Sequence, residues 1–440
     1  MSKIRHFFSP ASPVEQKHGE NSTYAKRLRW SVFFAATIGY GLYYVCRLSF
    51  SVIKKPLINE GLFTESELGV IGSALFFSYA AGKLVNGFLA DRVNIKRFLA
   101  AGLFVSAAIN LLLGLSSLFW VFAMLWGVNG WVQSIGSPAC VAGLSRWYTD
   151  KNRGSFYGFW STSHNIGEAM TFIATAFVVS ICGWRWGFEA AGLAGMAGAL
   201  FICIFMHDSP ASKGLPAVIT GRDAAKSVGA TQREVLKNPY VWLLALSSAC
   251  MYISRYAVNS WGIFYLEAQK GYSTIEASSI ISISSVCGVV GTACCGWISD
   301  RFFRSSRNLP ALLFGVGNTV GVTLFVFVPQ GYFAVDVCTM VLFGLCIGAL
   351  ICYLGGLMAV DIAPKKASGA ALGVVGIASY IGAGLQDVLS GQLIGGGKTI
   401  ADGLAVYDFS AVRYFWIGAA ALSFLLCAAL WKGTKKAGTP

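Results

Sequence analysis

Charge is scarce in this sequence: 12% of its 440 residues are Asp, Glu, Lys or Arg, and only 20 are acidic. That is too little to solvate the surface of a soluble chain of this size. Histidines number four, and the twelve cysteines are scattered without metal-ligand spacing, mostly inside apolar runs, as at Cys46, Cys182, Cys250, Cys294, Cys295 and Cys346. Such thiols read as small apolar packing residues, and no metal is expected. No Gly-rich phosphate loop and no Ser-His-Asp set is present, so the chain reads as neither an enzyme nor a nucleotide-driven pump, and no cofactor is expected. Residues 1–29 lack the apolar core of a cleavable signal peptide, so the first apolar helix should be retained.

What the chain has instead is apolar length. Hydrophobic residues make up 55% of it and mean hydropathy is +0.61. Runs long enough to cross a hydrocarbon core of roughly 30 Å recur almost end to end. They predict twelve spans, at 31–53, 68–90, 98–116, 118–140, 156–181, 186–206, 240–266, 277–299, 309–328, 332–355, 368–393 and 412–431. The pattern suits an all-α membrane protein and not a closed barrel.

Basic residues concentrate in loops that are not translocated. With the N-terminus in the cytoplasm, 25 of the 34 Lys and Arg fall on that side, and six (Lys54, Lys55, Arg185, Lys270, Lys398 and Arg413) fall in opposite loops. The remaining three, Arg47, Lys83 and Arg255, lie within spans. The net charge of +14 is therefore mainly a topology signal, with some attraction to anionic lipid, and not a nucleic-acid footprint.

The chain also repeats itself. Gly87-Phe88-Leu89-Ala90-Asp91-Arg92, after the second span, is matched by Gly296-Trp297-Ile298-Ser299-Asp300-Arg301 after the eighth, with the aspartates 209 residues apart. Arg47 and Arg255 are 208 residues apart, in the first and seventh spans. A weaker echo joins Lys151-Asn152-Arg153-Gly154 to Lys365-Lys366-Ala367-Ser368-Gly369. Two parallel six-helix repeats are implied. They give a tail at 1–29, a bundle at 30–206, a polar cytoplasmic linker at 207–239, a bundle at 240–432 and a tail at 433–440.

A guanidinium inside a bilayer costs several kcal/mol unless it faces an aqueous cavity or an anionic partner. Two of them at equivalent places suit a phosphoryl group, because each planar fork can donate parallel bonds to phosphate oxygens. The competing reading is that each pairs with a carboxylate or snorkels to the surface. Tyr40, Tyr43 and Tyr44 precede Arg47, Tyr79 precedes Lys83, and Tyr252 and Tyr256 flank Arg255; these could line a cavity or simply pack. Lys83 could add a third cationic contact or snorkel. His164, beside Asn165, could hydrogen-bond phosphate or satisfy a helix contact. Asp91, Arg92, Arg97, Asp300 and Arg301 are gate candidates, able to pair across helix ends in one conformation and part in another.

These motifs resemble the major facilitator superfamily, whose Gly-x-x-x-Asp-Arg loop is met by Gly87 to Arg92 and Gly296 to Arg301. More narrowly, Tyr43-Tyr44-Val45-Cys46-Arg47-Leu48-Ser49-Phe50, Tyr79-Ala80-Ala81-Gly82-Lys83, Trp160-Ser161-Thr162-Ser163-His164-Asn165-Ile166-Gly167 and Ala363 to Gly369 resemble the organophosphate:phosphate antiporters. Gly136-Ser137-Pro138-Ala139-Cys140, Asp208-Ser209-Pro210 and Gly214-Leu215-Pro216 are similar to its hexose-phosphate transporter and sensor branch.

The resemblance implies phosphate held by Arg47 and Arg255, with Lys83 and His164 near, and substrate contacts from Tyr40, Tyr44, Tyr79, Tyr252, Asn165, Tyr380, Gln386 and Asp387. Three positions depart from the family pattern. Leu48 stands where a second basic residue is frequent. Glu168 adds a carboxylate one turn from His164, which makes proton coupling conceivable. Asp387 could accept bonds from sugar hydroxyls or pair with a nearby cation.

The expected function is exchange of a phosphorylated sugar, of the glucose 6-phosphate class, for inorganic phosphate by alternating access in a bacterial inner membrane, with both termini cytoplasmic. An empty cavity with two unneutralised arginines should reorient reluctantly, which would enforce exchange. Two rivals remain at this stage: a receptor for external hexose phosphate that signals to a sensor histidine kinase, and a proton-coupled anion symporter.

Overall fold

The computed structural model describes residues 6–17, 19, 22–216, 235–303, 306–362, 368–402 and 404–436. The middle of the expected linker (217–234) and most of the segment from Ala363 to Gly369 (363–367) lie outside the described residues.

Among the described residues twelve helical spans run in sequence. The first six are α1 (Thr23–Asn59), α2 (Glu65–Ala90), α3 (Ile95–Gly114), α4 (Phe119–Gln133 continued by Gly136–Trp147), α5 (Asp150–Ser161 continued by Ser163–Cys182) and α6 (Trp184–Phe205). The second six are α7 (Pro239–Lys270), α8 (Thr274–Phe302), α9 (Asn308–Phe327), α10 (Phe333–Cys352, a π-helical turn Tyr353–Leu357, then Met358–Ile362), α11 (Ser368–Gly396) and α12 (Ser410–Lys436). Between α11 and α12 a two-stranded antiparallel hairpin, β1 (Lys398–Ala401) and β2 (Leu404–Tyr407), pairs Lys398 with Tyr407. Among the described residues ten helices are long and apolar enough to cross a membrane. The other two spans are α1, whose apolar run is diluted by tyrosines, serines and basic residues, and α4, which is broken near Ser134. The chain is a multi-pass membrane protein of the two-bundle, twelve-helix kind.

The repeat seen in the sequence is carried by backbone chemistry. Helix α2 begins on a capping box of Thr64 and Glu67, and α8 begins on one of Ser273 and Glu276. Each box satisfies two orphan N–H groups reciprocally at an equivalent helix start. Glycines repeat too: a Cβ at Gly130 in α4 would sit 2.1 Å from the Leu75 carbonyl of α2, and one at Gly344 in α10 would sit 2.2 Å from the Ser284 carbonyl of α8. Small residues let the backbones meet where apolar burial supplies no drive between helices. Outside the bundles, large side chains such as Trp120, Met124, Met170 and Leu200 are exposed, as expected of a surface solvated by acyl chains.

Two expectations change. Lys54 was placed in an opposite loop, but α1 continues to Asn59 through Pro56 and carries Lys54 inside, fully buried. Lys270 is likewise buried, at the end of α7, where its Nζ donates to Asp336 Oδ1 at 2.5 Å and Tyr272 donates to the other oxygen at 2.8 Å. A hydropathy window ends at the first charge; a helix whose charge has a partner does not.

On the face that carries both terminal segments, Asp208 gathers three parts of the first bundle. It accepts from the Ala11 N–H (2.8 Å), the Ile95 N–H at the start of α3 (2.8 Å) and Arg146 Nη1 at the end of α4 (2.7 Å). Arg146 also donates to the carbonyls of Ala90, Asp91 and Val93. The Gly87 to Arg92 loop is therefore clasped by its backbone. Asp208→Ala should cost about 3 kcal/mol, the scale for losing a charge pair with its hydrogen bonds. The check is the thermal midpoint in detergent, which should fall much further than for Asp91→Ala, whose side chain is exposed.

Next to this staple, burial pushes the His207 imidazole down to about 4, with Lys213 and Lys96 adding to the effect. Its folded value is depressed, so its contribution to stability is whole above about 6.5 and is lost as the pH falls toward 4. His207→Gln should flatten the decline of the thermal midpoint across that window.

Candidate functional site

The site begins with what holds α1 in place. Asn110 of α3 and Asn129 of α4 both donate to the Cys46 carbonyl, at 2.9 and 3.0 Å, and Gln133 donates to the Tyr43 carbonyl at 2.9 Å. Ser106 ties the amides together, donating to Asn129 at 2.6 Å and accepting from Gln133 at 2.8 Å. A fully satisfied buried polar network fixes one arrangement, since any slip strands a polar group in a dry interior. The residue it fixes next in the chain is Arg47.

Arg47 is buried in a ring of aromatics: its guanidinium carbon lies 5.0 Å from the Tyr79 ring centre, 5.1 Å from Tyr44, 5.6 Å from Tyr380, 5.8 Å from Tyr256 and 5.9 Å from Phe76. One Nη donates to the Tyr256 hydroxyl, while Nε has no partner among the described residues. Tyr79 and Tyr380 stack at 4.1 Å, joining α2 to α11. Arg255 of α7 is equally buried and lies 5.4 Å from the same Tyr256 ring. It differs in having a carboxylate, for its Nη2 donates to Glu168 of α5, whose other oxygen accepts from Ser285 of α8 at 3.2 Å. Tyr256 is thus shared by two guanidinium groups, one from each bundle.

The other expected residues fall at graded distances. Lys83 is half-buried, with Nζ 5.3 Å from the Tyr380 ring centre and against Gly376 of α11. Tyr252 touches both Arg255 and Tyr380, with ring centres of the tyrosines 5.5 Å apart. His164 lies 5.8 Å from Tyr44 and bonds the Ser161 carbonyl of its own helix through Nδ1. Asn165 is buried with no partner for its amide nitrogen among the described residues, and Tyr40 packs tilted on Trp160, ring centres 5.0 Å apart, one ring further from Arg47. Gln386 turns away, donating to Ser390, which also accepts from Trp416 of α12.

Asp387 takes up its second option and finds a cation. Its Oδ1 lies 3.3 Å from Lys54 Nζ and accepts from Ser260 at 2.6 Å and Trp261 at 2.7 Å, while Lys54 also donates to Ser260 at 2.8 Å. Asp387 Oδ2 has no partner among the described residues, and Asp387 and Arg47 both line a cavity with room for about one water, bounded also by Ser51, Gly72 and Tyr256. Sequence reading missed Lys54, Ser260 and Trp261. Lys54 is seven residues beyond Arg47, two turns along the same face, which was the available signal.

Beyond that pair, on the face opposite the tails, the bundles are strapped together. Glu65 at the start of α2 accepts from Lys398 of β1 at 2.9 Å and from the Tyr407 hydroxyl of β2 at 2.5 Å. Gly391 packs on the Glu65 carbonyl and Gly69. The site is therefore closed on this side by α2, α11 and the hairpin. At the tail face, among the gate candidates, Asp300 pairs with Arg307 (2.8 Å), Arg97 donates to the Phe7 carbonyl (2.6 Å), and Asp91, Arg92 and Arg301 have exposed side chains.

Breaking one partner of a buried pair leaves an uncompensated charge, whereas replacing both with apolar groups is often neutral. Lys54→Met should therefore cost about 3 kcal/mol, and Lys54→Met with Asp387→Leu should recover most of it. Thermal midpoints of the two single variants and the double variant provide the check.

Comparison with known proteins agrees with this architecture. The family model of the Major Facilitator Superfamily matches residues 32–386. The chain is 31% identical to the membrane sensor protein UhpC of Salmonella typhimurium, over 85% of this chain and 87% of that protein. It is 30% identical to a probable hexose phosphate transport protein of Chlamydia pneumoniae (98% and 97% covered) and 31% identical to the glycerol-3-phosphate transporter of Bacillus subtilis (98% of each). Among solved structures, a bacterial homologue of the human lysosomal transporter Spinster, inward-facing and unoccupied, superimposes with a TM-score of 0.74 at 17% identity, covering 92% of this chain and 98% of that one. The nucleoside transporter NupG gives 0.68 at 15% identity, covering 93% and 99%. With the family model matching residues 32–386 and these relatives at 30–31% identity covering both halves, the chain belongs to the major facilitator superfamily and, within it, to the organophosphate:phosphate antiporter family.

Proposed function

We propose that the chain is a secondary transporter that exchanges a phosphorylated sugar, of the glucose 6-phosphate class, for inorganic phosphate by alternating access. The observation that carries this reading is that Arg47 and Arg255, one from each bundle, both lie against Tyr256, 5.8 and 5.4 Å from its ring centre. Only a ligand rich in acceptor oxygens satisfies two planar forks at once, and a phosphoryl group does so while joining the two bundles. Lys83 then adds positive potential toward the tail face, and the phenols of Tyr44, Tyr79, Tyr252 and Tyr380 are within reach of ester and hydroxyl oxygens. The hexose-phosphate and glycerol-3-phosphate transporters among the relatives support the same ligand class. We place the tail face in the cytoplasm of a bacterial inner membrane, following the distribution of basic residues. The conformation described, closed opposite the tails, is then the inward-facing one, and outward opening requires Glu65 to part from Lys398 and Tyr407.

A second reading has a specific observation behind it, the similarity to a membrane sensor protein. A receptor would bind hexose phosphate in the same cavity and signal to a histidine kinase without turning over.

In proteoliposomes, preloaded inorganic phosphate should exchange with external labelled phosphate, and external glucose 6-phosphate should accelerate its exit. Arg47→Lys and Arg255→Lys should each lower exchange about 10- to 100-fold, the scale of one lost charge-assisted bond. Near-wild-type exchange in both variants would sink the two-fork site. Ligand-induced thermal stabilisation without any flux would establish the receptor instead.

A further inference from the structure

The two arginines are not equivalent in the empty site. Arg47 donates to a phenol and keeps a bare Nε among aromatic rings. Arg255 is held by Glu168, with both side chains almost wholly out of contact with solvent (4% and 3% exposed). The carboxylate belongs to α5 of the first bundle, and its two oxygens reach α7 and α8 of the second, on Arg255 and Ser285. At this level α5 and α8 approach closely: a Cβ at Gly288, one turn after Ser285, would lie 3.2 Å from Asn165 Oδ1. Glu168 is therefore an anion that bridges the bundles at Arg255, which is what the proposed phosphoryl group would do.

This alters the energetics of the unloaded carrier. If both guanidinium groups were bare, reorientation would drag two uncompensated charges through a dehydrated centre, and only a loaded carrier would cross. With Glu168 on Arg255 the formal charge of the central trio falls from +2 to +1, and the remaining Arg47 travels inside its aromatic ring set. Resting on the transport reading above, we propose that Glu168 is a built-in counter-anion for Arg255, which takes the ligand's place when the site is empty and lets the empty carrier return. The chain then performs net organophosphate flux without a counter-anion, in addition to exchange.

The experiment uses the full-length protein in proteoliposomes loaded with labelled glucose 6-phosphate, with membrane potential clamped by potassium and valinomycin. Efflux is measured into buffer free of phosphate and organophosphate, and into buffer containing inorganic phosphate; the readout is the ratio of the two rates. Wild type should give measurable net efflux, within about tenfold of exchange. Glu168→Gln should lower the ratio about 100-fold, the factor for leaving one more guanidinium uncompensated on insertion scales. Ser285→Ala, which loosens the carboxylate without removing it, should lower the ratio less. Exchange by wild type without net efflux would overturn the proposal, as would a Glu168→Gln ratio equal to that of wild type. Complete loss of exchange in Glu168→Gln would overturn it too, since the loaded carrier would then need the carboxylate. Absence of exchange in wild type itself would defeat the transport reading and this one with it.

Discussion

Everything central in this protein follows from the cost of keeping a guanidinium in a place that excludes water. A charge there must be solvated by something, and the chain supplies two different solvents. Arg47 receives the faces of five aromatic rings and a phenol oxygen. Arg255 receives a carboxylate from the opposite bundle. The first arrangement leaves donor capacity open, and the second ties the bundles together. The proposed anion site and the contact between the two bundles are thus built from the same two side chains.

The scaffold around them is symmetric, but the chemistry is not. Capping boxes at Thr64 and Ser273, and close glycine contacts at Gly130 and Gly344, recur in both bundles because a helix start or a backbone approach has the same requirements wherever it occurs. The charged residues break the repeat. At the 208-residue spacing of the arginines Lys54 corresponds to Gly262, and at the 214-residue spacing of Lys151 and Lys365 Glu168 corresponds to Gly382 and Asp387 to Ile173. Each sits in one bundle and reaches into the other. Symmetry thus serves packing, and the charged residues at the centre depart from it.

Closure opposite the tails is distributed over layers. Nearest the arginines, Tyr79 stacks on Tyr380; further out, Lys54 and Asp387 join α1 to α11; outermost, the β hairpin clasps Glu65. These contacts share one physical feature, a polar or aromatic group buried only while the bundles are together. Opening the face rehydrates the charges, which lowers the cost of separating them.

The sequence by itself determined the membrane class, the twelve spans, the twofold repeat and the presence of Arg47 and Arg255 within spans. Each of these is a local or periodic signal: apolar length, basic-residue bias, or a charge standing out against an apolar background. It also singled out Glu168 and Asp387 as odd carboxylates, without their partners. Only the tertiary structure decided that Glu168 neutralises Arg255, that Asp387 belongs to Lys54, that Asp300 pairs with Arg307, and that Lys398 reaches Glu65. Lys54 shows why: seen along the chain it marked the end of a span, since an unpaired lysine does not stay in a membrane. Its partner is 333 residues away, and no window over the sequence contains both. Charge tells where a helix should end only until another helix supplies the opposite charge, and which helix does so is a property of the packed bundle.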